Sequence, residues 1–267
     1  MGGYHIGIEE LQTLDRHWRK LYREYSIPMP NEIKHSALCM RCCGIQPKDP
    51  DEAAHKCLAH LSADDARGLL QCIVDTVGSF DSLRIIVAAG RPQDLMSMPS
   101  IADADIHRWT RKTSREVRCI AMFLQNLMQR FEMDLRIMGQ EGQMHFDRIS
   151  PKAHTVLQEY HAMLVRGKGD AFVKYRKLLQ LLDFQENDSS WPLHLADHVC
   201  GLCAGFLNGD PAAAASLELI WDKLRTDRDG VVAGCGIIGI PAGRITEDLL
   251  RRLRSGEQLT PQETPSS

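Results

Sequence analysis

The sequence predicts a mainly α-helical protein, an irregular multi-helix bundle of about eight helices with a small zinc-stabilised turn–helix element. Three observations carry that class. Apolar residues recur at helical steps through most of the chain. Aromatic residues are only 6%, low for a β-sandwich or barrel. Hydrophobic and charged residues, at 43% and 25%, are ordinary for a globular chain, which sets aside collagen-like, coiled-coil and fully disordered classes.

The elements follow in order. Ile8, Leu11, Leu14, Trp18, Leu21, Tyr22 and Tyr25 lie at helical steps over residues 8–25, and Pro28 and Pro30 end that helix. Residues 31–50 read as a loop closing on Pro47 and Pro50. Residues 51–61 begin with acids and predict a short helix. Ser62 offers an N-cap for a helix over 63–77. Residues 82–89 (SLRIIVAA) lean toward a strand, though a buried helix would show the same apolar run.

Gly90, Pro92 and Pro99 mark 90–102 as a linker and a weak domain boundary. The longest periodic stretch runs from 103 to about 138. Its stripe is Val117, Ile120, Ala121, Leu124, Leu127, Met128, Phe131 and Leu135, and Gly139 and Gly142 stop it. Pro151 opens a helix reaching Val165, and a further helix is expected over 170–183. Residues 187–192 form a polar break. Asp210 caps a helix over 211–225, and residues 226–243 are glycine-rich and irregular. Thr246 caps the last helix, whose early acids and late arginines match the helix dipole. The resulting organisation is an N-terminal helical region over 1–92, a helical bundle over 103–255 and a disordered tail over 256–267.

No basic-then-apolar leader opens the chain, and Ile6 breaks the myristoylation pattern after Gly2. The longest apolar stretch, 231–240, is about half the ~20 residues that a membrane helix needs. A cytoplasmic protein with no membrane partner is expected. A net charge of −3 advertises no global field for a polyanion. Nine cysteines, an odd count, argue against a closed disulfide framework and turn attention to metal or thiol chemistry.

Cys39, Cys42, Cys57 and His60 read C-x2-C-x14-C-x2-H. Two thiolates on one turn and a Cys/His pair on one helical face could supply four tetrahedral ligands to a structural zinc. Cys43 and His55 compete for places in that set, and a redox C-x-x-C or a plain core cysteine also fits. His194, His198, Cys200 and Cys203 form a second candidate set, H-x3-H-x-C-x2-C. It could hold its own ion, share one with the first set, or simply face the core of a helix. Cys72, Cys119 and Cys235 sit among apolar residues as small core side chains.

Arg108, Arg111, Arg115 and Arg118, with Lys112 beside them, form a cationic row whose spacing suits a phosphate backbone or a solvated helix face. Arg166, Lys168, Lys174, Arg176 and Lys177 form a second basic cluster. His154 and His161, seven apart, read as an exposed stripe. No phosphate-binding glycine loop, nucleophile elbow or dinucleotide fingerprint occurs.

These features favour a non-enzymatic nucleic-acid-associated factor, a regulator or a subunit of a nucleoprotein complex, with a structural zinc. A protein partner is expected. The alternative is a helical protein–protein adaptor using the Met-rich long helix (Met122, Met128, Met133, Met138), and a weaker one is a thiol or zinc enzyme.

Overall fold

The computed structural model describes residues 1–29, 31–98, 114–147, 151–168, 173–185 and 191–257. Ten α-helices and five short strands lie within them, so the chain is mainly helical. The helices are α1 (Ile8–Glu24), α2 (His35–Cys42), α3 (Ala53–Lys56), α4 (Ala63–Gly78), α5 (Pro92–Ser97), α6 (Arg115–Met138), α7 (Pro151–Val165), α8 (Trp191–Leu207), α9 (Pro211–Glu218) and α10 (Glu247–Arg254). The strands are β1 (Gly2–His5), β2 (Arg84–Ala89), β3 (Gly142–Asp147), β4 (Leu178–Gln185) and β5 (Ile237–Gly239).

The strong local signals set the helix starts. Ser62 accepts from the Asp65 N–H while Asp65 returns a bond to the Ser62 N–H, a reciprocal capping box at the head of α4. Ser114, Asp210 and Thr246 cap α6, α9 and α10 in the simpler way. Gly139 ends α6 in the left-handed region at φ 71°, where a side chain would be strained.

β1, β2 and β5 form one sheet, with β1 antiparallel and β5 parallel to the central β2. Both faces of β2 are covered. Ile85 and Val87 enter the largest core, built around Trp18, while Ile86 and Ala88 pack with Cys119, Leu127 and Ile238 beneath α6. A strand buried on both faces reads as a continuous apolar run, which is why 82–89 also fitted a buried helix. The largest core draws Leu14, Trp18, Leu38 and Ile73 from the N-terminal part and Leu195, Phe206 and Leu250 from the C-terminal part.

β3 and β4 are parallel and are joined through α7. Their core is Leu124, Met128 and Leu135 of α6 against Leu157, Leu164, Leu178 and Leu182. Here the structure corrects the helix expected over 170–183, because the described chain is extended from Leu178. Leu178 and Leu182 are four apart, a spacing that suits one face of a helix and one face of a strand alike. Pairing with β3 decides between them.

Two other expectations change. Residues 31–50 contain α2, and 90–102 contain α5. Arg108, Arg111, Lys112 and the tail beyond 257 lie outside the described residues. Among the described residues no helix is long and apolar enough to cross a membrane.

Candidate functional site

α2 carries the first half of the expected zinc set. Cys39 and Cys42 lie on its last turns, half-buried, and Cys43 follows as an exposed C-cap. The other half points elsewhere. Cys57 is buried and its thiol donates to the Ala54 carbonyl at 3.3 Å. His60 Nε2 lies 2.7 Å from the Tyr25 carbonyl. Among the described residues no group of three or more His, Cys, Asp and Glu side chains has a metal-holding arrangement.

The second set lies along α8. His194 and His198, one turn apart, are fully buried and flank Trp18, at ring-centroid distances of 6.2 and 6.1 Å. His194 Nδ1 is 3.4 Å from the Tyr22 hydroxyl, which donates to the Asn31 carbonyl. Cys203 faces the largest core, while Cys200 sits beside the N-terminal strand. Burial raises the pKa of both thiols, that of Cys200 to about 11. Each is a neutral thiol near neutral pH, with little nucleophilic character of its own.

The structure joins one member of each set through a residue that the spacing argument did not weigh. His35 opens α2. Its Nε2 lies 3.3 Å from Cys39 Sγ, one turn on, and its Nδ1 lies 3.3 Å from His198 Nδ1 across the α2–α8 interface. Lys34, the N-cap of α2, offers no side-chain acceptor. Asp197 of α8 supplies one from outside the helix, accepting from the His35 N–H at 2.7 Å. The His35 ring lies on the bare face of Gly201, where a Cβ would overlap it. The imidazole is therefore held by its helix, by a neighbouring carboxylate and by a glycine platform.

Electrostatics follow from this burial. Desolvation lowers the pKa of His35, opposed by Asp197 and Asp210. Desolvation, with His35 and His194 adding to it and the Ile33 backbone opposing, takes His198 down to about 3. Cys39 is pushed up to about 11 by burial first and then by Cys42, Asp210, Cys43 and Asp197. All three groups are neutral near pH 7, so a chain of S–H and N–H donors can run through them with one proton on each group. The signal that could have found His35 is its four-residue spacing to Cys39. It carries meaning only on a helix, and Pro47 and Pro50 after it predict a loop.

A second feature lies on the far side of α6. Glu132 is fully buried, yet four donors surround it. Its carboxylate accepts from the backbone N–H groups of Arg176 (2.9 Å), Lys177 (3.0 Å) and Leu178 (2.9 Å) and from Arg136 Nε (2.7 Å). Burial alone would raise its pKa; the bonds from Arg176, Arg136, Lys177 and Leu178 overcome that and lower it. Arg136 also donates to the Lys174 carbonyl. These bonds fix part of the second basic cluster. Arg136, Lys174 and Arg176 line a shallow groove of about 450 Å³ with Met133 and Val173. Arg166 and Lys168 border another, of about 470 Å³, at the end of α7.

The arginine row fares differently. Arg115 is exposed, while Arg118 is only 7% exposed. His161 is likewise fully buried rather than part of an exposed stripe. A scan against protein-family models finds no match for this chain, and searches of the curated proteins and of the solved structures find none either.

Proposed function

We infer that this chain is a non-catalytic factor that binds the phosphate backbone of a nucleic acid, with the groove beside α6 as its contact surface. The observation that carries this reading is the Glu132 anchor. A buried carboxylate spends its acceptor capacity on the backbone of 176–178. Arg176 of that segment and Lys174 just before it then stand beside Arg136 along one groove. Cations held on a fixed backbone lose less entropy on meeting phosphates than cations on a free loop. The moderate overall charge keeps non-specific affinity low. Arg115 stands about 30 Å from Arg136 by helical rise, so it belongs to a separate contact. Binding of a labelled single-stranded oligonucleotide that Lys174→Ala with Arg176→Ala weakens supports the reading; unchanged binding counts against it.

The adaptor reading has its own observation. Met133, Ile137 and Met138, on the last turns of α6, are 41, 79 and 43% exposed. A stable protein partner retained after nuclease treatment and lost in Ile137→Asp favours it.

The zinc in this reading rests on the C-x2-C-x14-C-x2-H spacing alone, and an ion there would have to displace the Cys57 and His60 contacts with backbone carbonyls. One zinc per chain surviving dialysis and lost in Cys42→Ser supports it.

A further inference from the structure

We propose that Cys39 is a nucleophilic thiol, served by His35 as its base, and that with Cys42 it forms a dithiol site for exchange with small-molecule disulfides. The proposal stands on geometry. A thiol and an imidazole nitrogen lie 3.3 Å apart, and the other nitrogen of that imidazole faces a buried second imidazole at 3.3 Å. A nucleophile, a base in contact with it and a third group orienting the base are the arrangement that thiol chemistry uses. Asp197 on the His35 backbone and the Gly201 platform restrict the ring further.

Cys42 follows Cys39 by three residues on the same helix. Helical geometry puts their Cα atoms about 5 Å apart, inside the window of about 4.4–6.8 Å that a disulfide spans. Cys39 is half-buried and His35 Nε2 is in contact with its sulfur, so the imidazole is placed to take the thiol proton.

The exchange balances. The Cys39 proton passes to His35 as sulfur attacks one sulfur of the incoming disulfide. The new sulfur–sulfur bond forms, the old one breaks, and His35 returns the proton to the departing thiolate. Cys42 then attacks Cys39 sulfur and releases the second half of the reagent as a thiol. The net result is one protein disulfide and two small thiols, with the incoming disulfide as the oxidant.

Oxidised glutathione is the probe, and peptide mapping by mass spectrometry is the readout. Exposure alone ranks Cys43 above Cys39. The proposal predicts the reverse, with a Cys39–Cys42 disulfide as the product in wild type and in Cys43→Ser. Cys42→Ser stops at the Cys39 mixed disulfide. His35→Ala slows reaction at Cys39 by on the order of tenfold or more while the rate at Cys43 stays unchanged. That internal comparison separates loss of the base from loss of the fold, since unfolding would uncover the half-buried Cys39 and speed its reaction rather than slow it. Glutathione on Cys43 first, a Cys39 rate indifferent to His35, or a zinc ion held by Cys39 and Cys42 overturns the proposal.

Discussion

His35 Nδ1 and His198 Nδ1 face each other at 3.3 Å across the packed surfaces of α2 and α8. Neither ring can take a proton without placing a buried charge against its neighbour. Asp197 and Asp210 oppose that cost at His35, while Cys39, His194 and Tyr22 complete the surroundings.

The pair therefore makes stability depend on acid. Both folded pKa values lie below the ordinary histidine value. The unfolded chain takes up these protons first, so stability is complete above the unfolded pKa of about 6.5 and falls as pH drops below it. The decline is ~1.4 kcal/mol per pH unit for each group that resists protonation, and for His198 it continues toward about pH 3. Urea midpoints measured between roughly pH 7 and pH 5 should fall in the wild type and fall less steeply in His198→Gln. A flat profile would show that the imidazoles are not buried as a neutral pair.

Glu132 supports the groove from below. Glu132→Ala leaves three backbone N–H groups and one guanidinium nitrogen without their acceptor, and should cost ~3–5 kcal/mol. Glu132→Gln keeps one acceptor oxygen and should cost less, about 1–3 kcal/mol. Denaturant unfolding of both variants checks the order. Equal stability of all three proteins would remove the anchor from the account.

How much of this was legible in the sequence depended on range. Ser62, Ser114 and Thr246 announced their helices because a cap needs only the next three residues. The inward face of α6 followed from its stripe. The failures came where distant partners decided. Leu178 and Leu182 fit either period until β3 pairs with them. Arg118 keeps helical step with the other arginines, yet it is buried. His194 and His198 were visible as a pair, but their neighbour His35 lies more than one hundred and fifty residues away in sequence, at |i−j| = 163 from His198. No local spacing encodes that distance.

Asp134 joins three segments at one carboxylate. Arg225 Nε reaches it at 2.7 Å and His5 Nε2 lies 3.0 Å away, with Arg225 only 7% exposed. Asp134→Ala strands the guanidinium, and a loss of ~3–5 kcal/mol is expected. Arg251→Ala, which removes a partner of Asp248 in an exposed pair, should leave the thermal midpoint unchanged within error. A similar small effect at both positions would contradict the burial on which the comparison rests.

Salt probes the groove of Arg136, Lys174 and Arg176 as a phosphate-binding surface. The affinity of the wild type for a labelled single-stranded oligonucleotide, followed over a series of salt concentrations, should fall linearly on logarithmic axes. In Lys174→Ala with Arg176→Ala the slope should be shallower by about 0.7 for each phosphate contact removed. Binding that ignores salt, or a double variant whose slope matches the wild type, would contradict the account.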